Sequence, residues 1–171
     1  MGDRIATLAD LIPRSPLAIC IGVNPSPVSV EAGHYYQGKL GKRFWGRLQG
    51  CGLLPELVGG YEDDAAVAAG IGFTDVVKRP TSRAHGLLPG ELQHGTTLLR
   101  TKLEAVECAA LIFTFKAAAQ ALIGSIAGTG WIPDVTFASA DIFVMPGPFA
   151  PKSQVDVALR ELGARLGTHR P

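Results

Sequence analysis

The sequence lacks the features by which membrane-spanning, metal-centred and disulfide-linked proteins are recognised. No stretch approaches the roughly 18 consecutive apolar residues of a membrane span, and no secretory signal opens the chain, so we expect a cytoplasmic protein with no membrane partner. Its three cysteines, Cys20, Cys51 and Cys108, are scattered and lack metal-ligand spacing. Such cysteines are typical of buried thiols in a reducing compartment. We therefore expect neither a metal nor a cofactor.

The chain also lacks an excess of charge of either sign. It carries 16 Lys and Arg against 15 Asp and Glu, a formal net charge of +1, whereas proteins that hold nucleic acid by charge alone are strongly basic. Basic residues still gather in two places, between Lys39 and Arg47 and between Lys78 and Arg83. These groups are either one positive face or ordinary solvated surface. Walker and dinucleotide-binding fingerprints are absent, which argues against phosphate-cradling enzymes.

Apolar runs alternate with amphipathic segments along the chain. The apolar runs predict four strands, at residues 17–21, 70–77, 109–115 and 141–145. Helical periodicity predicts helices at residues 5–12, 42–50, 63–69, 91–108, 116–123 and 155–166, with an irregular stretch over 28–40. Strands that alternate with helices are joined by right-handed crossovers. We therefore predict one domain over residues 1–171, of class α/β, with three α/β/α layers around a central, mainly parallel four-stranded sheet.

The loop Gly22-Val23-Asn24-Pro25-Ser26-Pro27 follows the first predicted strand. Loops after parallel strands meet at the carboxyl edge of a sheet, where open α/β folds bind ligands. Because Asn24 precedes Pro25, its backbone is biased toward the extended region, and the two prolines fix their own φ. The Asn24 amide is therefore aimed before any substrate arrives. The alternative is a plain connector, since Asn-Pro and Ser-Pro are common turn formers.

Four blocks of sequence together resemble one known family. They are Gly22-Val23-Asn24-Pro25-Ser26, Gly33-His34-Tyr35-Tyr36 with Arg43-Phe44-Trp45, Gly70-Ile71-Gly72-Phe73-Thr74-Asp75-Val76-Val77, and Phe143-Val144-Met145-Pro146. In order and spacing they resemble the mismatch-specific uracil-DNA glycosylase and thymine-DNA glycosylase branch of the uracil-DNA glycosylase superfamily. Each block alone is a weak signal, but four blocks in register over nearly the whole chain are specific.

The resemblance implies a monofunctional DNA glycosylase that initiates base excision repair. Such an enzyme flips uracil, or another deaminated or mismatched base, out of double-stranded DNA and hydrolyses its N-glycosidic bond. The expected partner is then double-stranded DNA that contains uracil or a mismatched base, bound by a monomer without a cofactor. Two alternatives stay open. One is a non-catalytic or altered-specificity binder of DNA lesions or abasic sites, and the other is a small-molecule nucleoside hydrolase on the same fold.

The resemblance also assigns roles to residues near the first loop. Asn24 matches the family's water-positioning residue, and the backbone of Gly22 and Val23 would face the departing base. Tyr36 matches the aromatic that stacks on the flipped base, although a core-edge position is the alternative. Ser29 matches a serine of the bacterial mismatch-specific branch and implies a preference for uracil over thymine, but it could equally cap a short helix. His34 is a candidate for the pocket wall.

The last loop departs from the family pattern. Gly147 stands where relatives carry Asn or Ser beside the base, and Phe149 is the candidate for the residue that wedges into the vacated base stack. A buried core position is the alternative for Phe149. Lys42 and Phe115 also depart from the family, which has Asn and Gly there, whereas Phe44 and Trp45 are expected in the core. The predicted contacts to DNA are Phe149, Pro151, Lys152, Lys42, Arg79 and Arg83.

Overall fold

The computed structural model describes residues 5–57, 59–82, 86–88 and 90–168. Within them the strands are β1 (Ala18–Gly22), β2 (Ile71–Asp75), β3 (Ala110–Phe113), β4 (Gly130–Phe137) and β5 (Ala140–Val144). The helices are α1 (Pro27–Ala32), α2 (Lys39–Gly50), α3 (Glu62–Ala68), α4 (Glu91–Glu104), α5 (Lys116–Ile123) and α6 (Lys152–Gly167). None of the helices in these ranges has the length and apolar character needed to cross a bilayer.

The strands form one sheet in the order β2-β1-β3-β5-β4. The first four of these are mutually parallel, and β4 alone runs antiparallel, paired with β5. Every residue of β1, β2 and β3 is buried, which explains their continuous apolar runs. The predicted α/β/α fold with a mainly parallel sheet is confirmed, with five strands instead of four. Two core clusters line the two faces of the sheet, and Phe44 and Trp45 belong to one of them, as predicted.

The additional strand, β4, escapes sequence patterning for a physical reason. It lies at the sheet edge, most of its residues are partly exposed, and its pairing with β5 shifts register between Trp131 and Thr136. Pro133 and Asp134 lie in that irregular part, where Asp134 has a φ of 57°. Proline is tolerated at bulges and edges but reads as a strand breaker in sequence.

Three further predictions about elements need correction. The predicted helix at residues 5–12 is wrong, because Leu11 instead exchanges backbone hydrogen bonds of 2.9 and 2.7 Å with Phe73 of β2. An exposed strand edge offers those partners, and a short segment closed by Pro13 has little helical stability of its own. The stretch predicted as irregular contains α1, whose first turn is capped by Ser26 with Pro27 following. Helix α4 ends at Glu104, four residues before the predicted end.

Candidate active site

A cavity of about 450 Å³ opens at the carboxyl ends of the central strands. Its wall is built from the loop after β1, the first turn of α2, the end of β2 and the residues that follow β3. A wider depression of about 890 Å³ lies at the opposite edge of the sheet, around residues 12–17 and 105–109. That depression contains no predicted site residue. The cavity at the carboxyl edge contains Gly22, Val23, Asn24, Ser29 and Tyr36, and it is the candidate site.

The Asn24 amide is held in one orientation. Its Nδ2 donates to the Arg79 carbonyl at 3.0 Å, to Thr81 Oγ1 at 2.8 Å and, more weakly, to the Pro25 carbonyl at 3.3 Å. Two of these acceptors are carbonyl oxygens, which cannot donate, so they decide which end of the amide is the NH₂ group. No donor among the residues described by the structure contacts Oδ1, so this oxygen is available to orient a water molecule at the cavity wall.

Tyr36 lies on the same wall in a left-handed backbone conformation, with a φ of 56°. Such a φ is uncommon for a residue with a side chain and persists only when the surroundings enforce it. Here Trp45 Nε1 donates to the Tyr36 carbonyl at 3.2 Å, and the Tyr36 ring packs edge-on against Phe44 at 4.6 Å between centroids. Tyr35, in contrast, is buried and donates its hydroxyl to the Ala9 carbonyl. Both tyrosines line the cavity; Tyr35 is a core residue, whereas Tyr36 is partly buried and packs against the same core cluster.

Asp75 is the site residue that sequence reasoning missed. It ends β2, is 3% exposed, lines the cavity, and neither carboxyl oxygen has a hydrogen-bond partner among the described residues. A β-carbon on Gly22 would collide with Asp75 Oδ1 and lie 3.2 Å from Tyr36 Oη, which explains the glycine at the end of β1. An acid that closes an otherwise apolar strand at the carboxyl edge is a signal that could have found it.

The environment of Asp75 favours its neutral form. Burial raises the pKa of the Asp75 carboxyl from 3.8 to about 7, an effect that Lys78 opposes and Asp10 reinforces. Burial and the neighbouring Asp75 also raise the pKa of Tyr36 well above its ordinary value, so its phenol stays neutral. A strongly shifted carboxyl inside a cleft is typical of functional sites.

Ser29 and His34 take part in the support of the Tyr36 segment. Ser29 is buried, and its Oγ accepts hydrogen bonds from Ser26 Oγ at 3.0 Å and from the Gln37 N–H at 3.1 Å. The cap of α1 is Ser26, so the capping role considered for Ser29 is wrong. His34 does not line the cavity. Its Nδ1 lies 2.8 Å from Oδ1 of the buried Asp63, so the ring contacts this carboxylate instead of the cavity.

A group of three potential metal ligands also lies beside this segment. Ligand-type atoms of His34, Asp63 and Asp64 lie within 4.8 Å of one another. The Asp63 oxygens, however, already accept hydrogen bonds from the Tyr35 N–H at 2.8 Å and the Asp64 N–H at 3.1 Å. These contacts give Asp63 a structural role in holding the backbone before Tyr36.

Of the basic residues between Lys78 and Arg83, Lys78 and Arg79 are paired with acidic side chains of the protein. Lys78 binds Asp10, and Arg79 binds Glu91 through hydrogen bonds of 2.6 and 2.7 Å. These bonds from Arg79 lower the pKa of Glu91 to about 2. A DNA phosphate would have to compete with Glu91 for the Arg79 guanidinium, and the direct contribution of Arg79 to the site is its carbonyl, which holds Asn24. Arg83 lies outside the described residues.

The loop between β5 and α6 projects Phe149 into solvent. Its side chain is 84% exposed, so the core alternative for Phe149 is wrong. Gly147 does not line the cavity, whereas Pro151 directly precedes α6 and Lys152 opens it. Lys152 pairs with Asp156 within that helix at 2.5 Å, and Lys42 is exposed on α2.

Exposed apolar side chains surround the cavity mouth; the sequence placed Phe115 at the pocket edge but did not identify Val28 and Leu40 there. Val28, Leu40 and Phe115 all line the cavity and are between 42 and 53% exposed. Apolar groups clustered at the mouth of a pocket are typical of a binding surface. Phe115 stands where the resembled family tends to have glycine, so this position of the cavity mouth carries an aromatic side chain.

Comparison with known proteins places these residues in a family context. The family model described as "Uracil DNA glycosylase superfamily" matches residues 10–151. The chain is also 33% identical over 100 residues to a protein of Schizosaccharomyces pombe named "G/U mismatch-specific uracil DNA glycosylase". This match covers 56% of the chain and 30% of the relative, so the chain spans less than a third of that protein's length in the aligned part.

Proposed function

Because the chain belongs to the uracil-DNA glycosylase superfamily, we propose that it is a monofunctional glycosylase that removes uracil from double-stranded DNA as a monomer. The observation that carries this proposal is the Asn24 carboxamide, fixed through its NH₂ group, with Oδ1 in contact with no donor of the described residues, on the wall of a cavity that Tyr36 also lines. The fission-yeast relative, by its name, acts on uracil in G/U mismatches, which favours the same substrate here. Removal of uracil initiates base excision repair.

The proposed chemistry depends on positioning. The uracil swings out of the duplex into the cavity and stacks on Tyr36. Asn24 Oδ1 holds a water molecule against C1′ of the sugar, and the C1′–N1 bond breaks with its electron pair passing to the base. The water oxygen then bonds to C1′, and the proton it loses passes to the uracil anion or to solvent. An amide is too weak a base to remove the water's proton early, so catalysis comes from alignment and from N–H groups such as that of Val23 facing the uracil anion.

Asp75 lines the cavity, and both of its carboxyl oxygens are buried without a hydrogen-bond partner among the described residues. A protonated carboxyl both donates and accepts a hydrogen bond, and uracil presents a carbonyl beside an N–H. Since burial raises the pKa of Asp75 to about 7, the neutral form predominates below neutral pH. We propose that neutral Asp75 donates to a uracil carbonyl, which also stabilises the negative charge that develops on the departing base.

The proposed function is tested by direct measurement of base release. Purified protein is incubated with duplexes that carry one U opposite G or A, with the same strand containing C, and with free uridine. We expect uracil release from the U-containing duplexes alone. Comparable hydrolysis of uridine would instead show a nucleoside hydrolase, and tight binding of the duplex without release would show a lesion binder. Duplexes with T, hypoxanthine or xanthine then define the range of bases.

The exposed Phe149 gives a second prediction. A wedge supports the duplex after a base leaves it, and stacking of this kind contributes about 1–3 kcal/mol. We expect Phe149→Ala to lower kcat/KM on U·G duplex by about tenfold or more and to change single-strand excision much less. Equal losses on both substrates would contradict the wedge. The control is Val157→Ala, which shortens an exposed apolar side chain on α6, outside the loop that carries Phe149. It should leave both rates unchanged.

A further inference from the structure

The loop after β5 is held by two arginines of α2. Arg43 Nη1 donates to the Pro148 carbonyl at 3.1 Å, and Arg47 donates from Nη1 to the Pro146 carbonyl at 2.5 Å and from Nη2 to the Gly147 carbonyl at 2.9 Å. The two side chains are four residues apart and therefore share one face of the helix. Together they bind three consecutive carbonyl groups of the loop.

The composition of the loop makes these bonds important. Proline has no N–H, so Pro146 and Pro148 cannot donate backbone hydrogen bonds that would fold the loop onto itself. Between them, Gly147 is the most permissive residue for backbone rotation. Its carbonyl also accepts from the Ala150 N–H at 3.1 Å, which closes a turn around Phe149. The guanidinium groups are thus the side-chain anchors of a segment with few backbone anchors.

One of these arginines contacts Phe149, and both line a small cavity beside the candidate site. The Arg43 guanidinium lies over the Phe149 ring, 5.5 Å from its centroid. A small cavity of about 70 Å³ separates Arg43 and Arg47 from Tyr36 and Phe115, so the anchored loop borders the wall on which a flipped base would stack. The orientation of Phe149 relative to Tyr36 therefore depends on how α2 holds the loop.

We propose that Arg43 and Arg47 are positioning residues that hold the loop over residues 146–151 in the conformation that presents Phe149 to the duplex. This inference rests on the proposed function. It differs from a direct phosphate contact, because each guanidinium spends donors on loop carbonyls and one also covers the Phe149 ring. A loop ordered before binding has less conformational freedom to lose when the ring enters the base stack.

A double-mutant cycle tests the inference. We expect Arg47→Ala to lower kcat/KM on U·G duplex by about threefold to tenfold, with single-strand excision unchanged. Because Arg47 acts through Phe149, the double variant Arg47→Ala/Phe149→Ala should be no slower than Phe149→Ala alone. Losses that multiply, or an equal loss on single strands, would overturn the inference.

Two further variants distinguish the positioning role proposed for Arg47 from a direct contact with a phosphate. Arg47→Lys keeps the charge but cannot bond two carbonyls with one planar group, so it should lose activity like Arg47→Ala. If Arg47 bound a phosphate, lysine would restore activity and Arg47→Ala would reduce the salt slope of binding by about one. Arg165→Ala is the control, because Arg165 is another partly exposed helix arginine, but it binds Asp141 instead of the loop and lies over the Trp131 ring at the β4 edge of the sheet. This variant should leave the ratio of kcat/KM on duplex to kcat/KM on single strands unchanged.

A measurement independent of activity completes the test. With 4-fluorophenylalanine incorporated, the ¹⁹F resonance of Phe149 is identified from Phe149→Leu, and thermal melting confirms that each variant folds. We expect Arg47→Ala to shift and sharpen that resonance as the ring averages over more orientations, and Arg165→Ala to leave it unchanged. An unchanged Phe149 resonance in Arg47→Ala would overturn the positioning role proposed for Arg47. Failure of wild-type protein to release uracil would instead overturn the proposed function. The ¹⁹F resonance does not depend on activity, so it would still test whether Arg47 positions the loop.

Discussion

Asn24→Ala is expected to release uracil from a U·G duplex about 10²–10⁴ times more slowly than the wild type, the range typical of lost alignment or proton handling in the transition state. The reason is the fixed amide, whose Oδ1 contacts no donor of the described residues while Nδ2 binds the Arg79 carbonyl and Thr81 Oγ1. Without it, the attacking water has no partner to align it with C1′. The measurement is single-turnover excision, which isolates the chemical step from product release.

The same variant should still bind DNA. The contacts proposed for base and duplex come from Tyr36, Asp75, the Val23 N–H and Phe149, which Asn24→Ala leaves in place, so the Kd for a U·G duplex should change little. The pH profile of the wild type gives a further check, since an amide does not titrate and no acidic limb from a carboxylate base is expected. Wild-type turnover by Asn24→Ala would remove Asn24 from the mechanism, and loss of binding together with thermal stability would point to a structural role.

Asp75→Asn is expected to change how stability depends on pH. Between about pH 4 and 7, the folded chain keeps a proton on Asp75 that the unfolded chain has already released. Folded protein therefore binds more protons than unfolded protein, and its stability falls as pH rises, by about 1.4 kcal/mol per unit at most. Above pH 7 both states have lost this proton and the slope from Asp75 vanishes. Asparagine has no such proton, so the variant lacks this pH dependence. Between pH 4 and 7 its free energy of unfolding should therefore rise, relative to that of the wild type, by up to about 4 kcal/mol.

Urea unfolding of both proteins at pH 5, 6, 7 and 8 measures this difference. The window avoids the range below pH 4, where Glu91 and Asp10, whose pKa values are lowered by their ion pairs, lose their stabilising charge. Asp141→Asn is the control, because that half-exposed carboxylate pairs with Arg165 and should give curves parallel to the wild type. Parallel curves for Asp75→Asn would show that its carboxyl ionises as freely folded as unfolded.

The same variant tests the role of Asp75 in uracil binding. If the neutral carboxyl donates to the base, wild-type excision should decline above about pH 7, approaching tenfold per pH unit, as the donor is lost. Asparagine keeps a donor and an acceptor at every pH, so Asp75→Asn should be active without this decline. A variant that keeps the alkaline decline would separate Asp75 from base recognition while leaving the stability prediction intact.

Where local chemistry decides, the sequence predicted which residues line the candidate cavity, and the roles assigned to them stay predictions. Asn24 between a buried strand and two prolines, and Tyr36 in a glycine-bounded segment, follow from the order of residues together with the family resemblance. The parallel strands were also predictable, because complete burial gives continuous apolar runs. In each case the determining interactions are close in sequence or are dictated by burial alone.

The parts that were missed depend on distant contacts. Asp75 becomes a buried acid without a hydrogen-bond partner in the described part of the chain because β1 and β2 place it against Gly22, 53 residues away. The segment before Pro13 is extended because Phe73 offers a free strand edge, against its own helical periodicity. Arg47 looks like a surface charge on an amphipathic helix until the loop after β5, about 100 residues later, brings three carbonyl groups to it. Such tertiary partners leave no trace in local periodicity.

The two borders of the sheet differ from its centre in a way that bears on self-association. At one border Leu11 occupies both backbone groups of Phe73, and at the other the irregular part of β4 contains Pro133 and the left-handed Asp134. A flat, unpaired border would let a second copy add its own strand. Because each border is interrupted, growth of the sheet from one molecule into the next is disfavoured, and concentrated protein should resist fibrous aggregation.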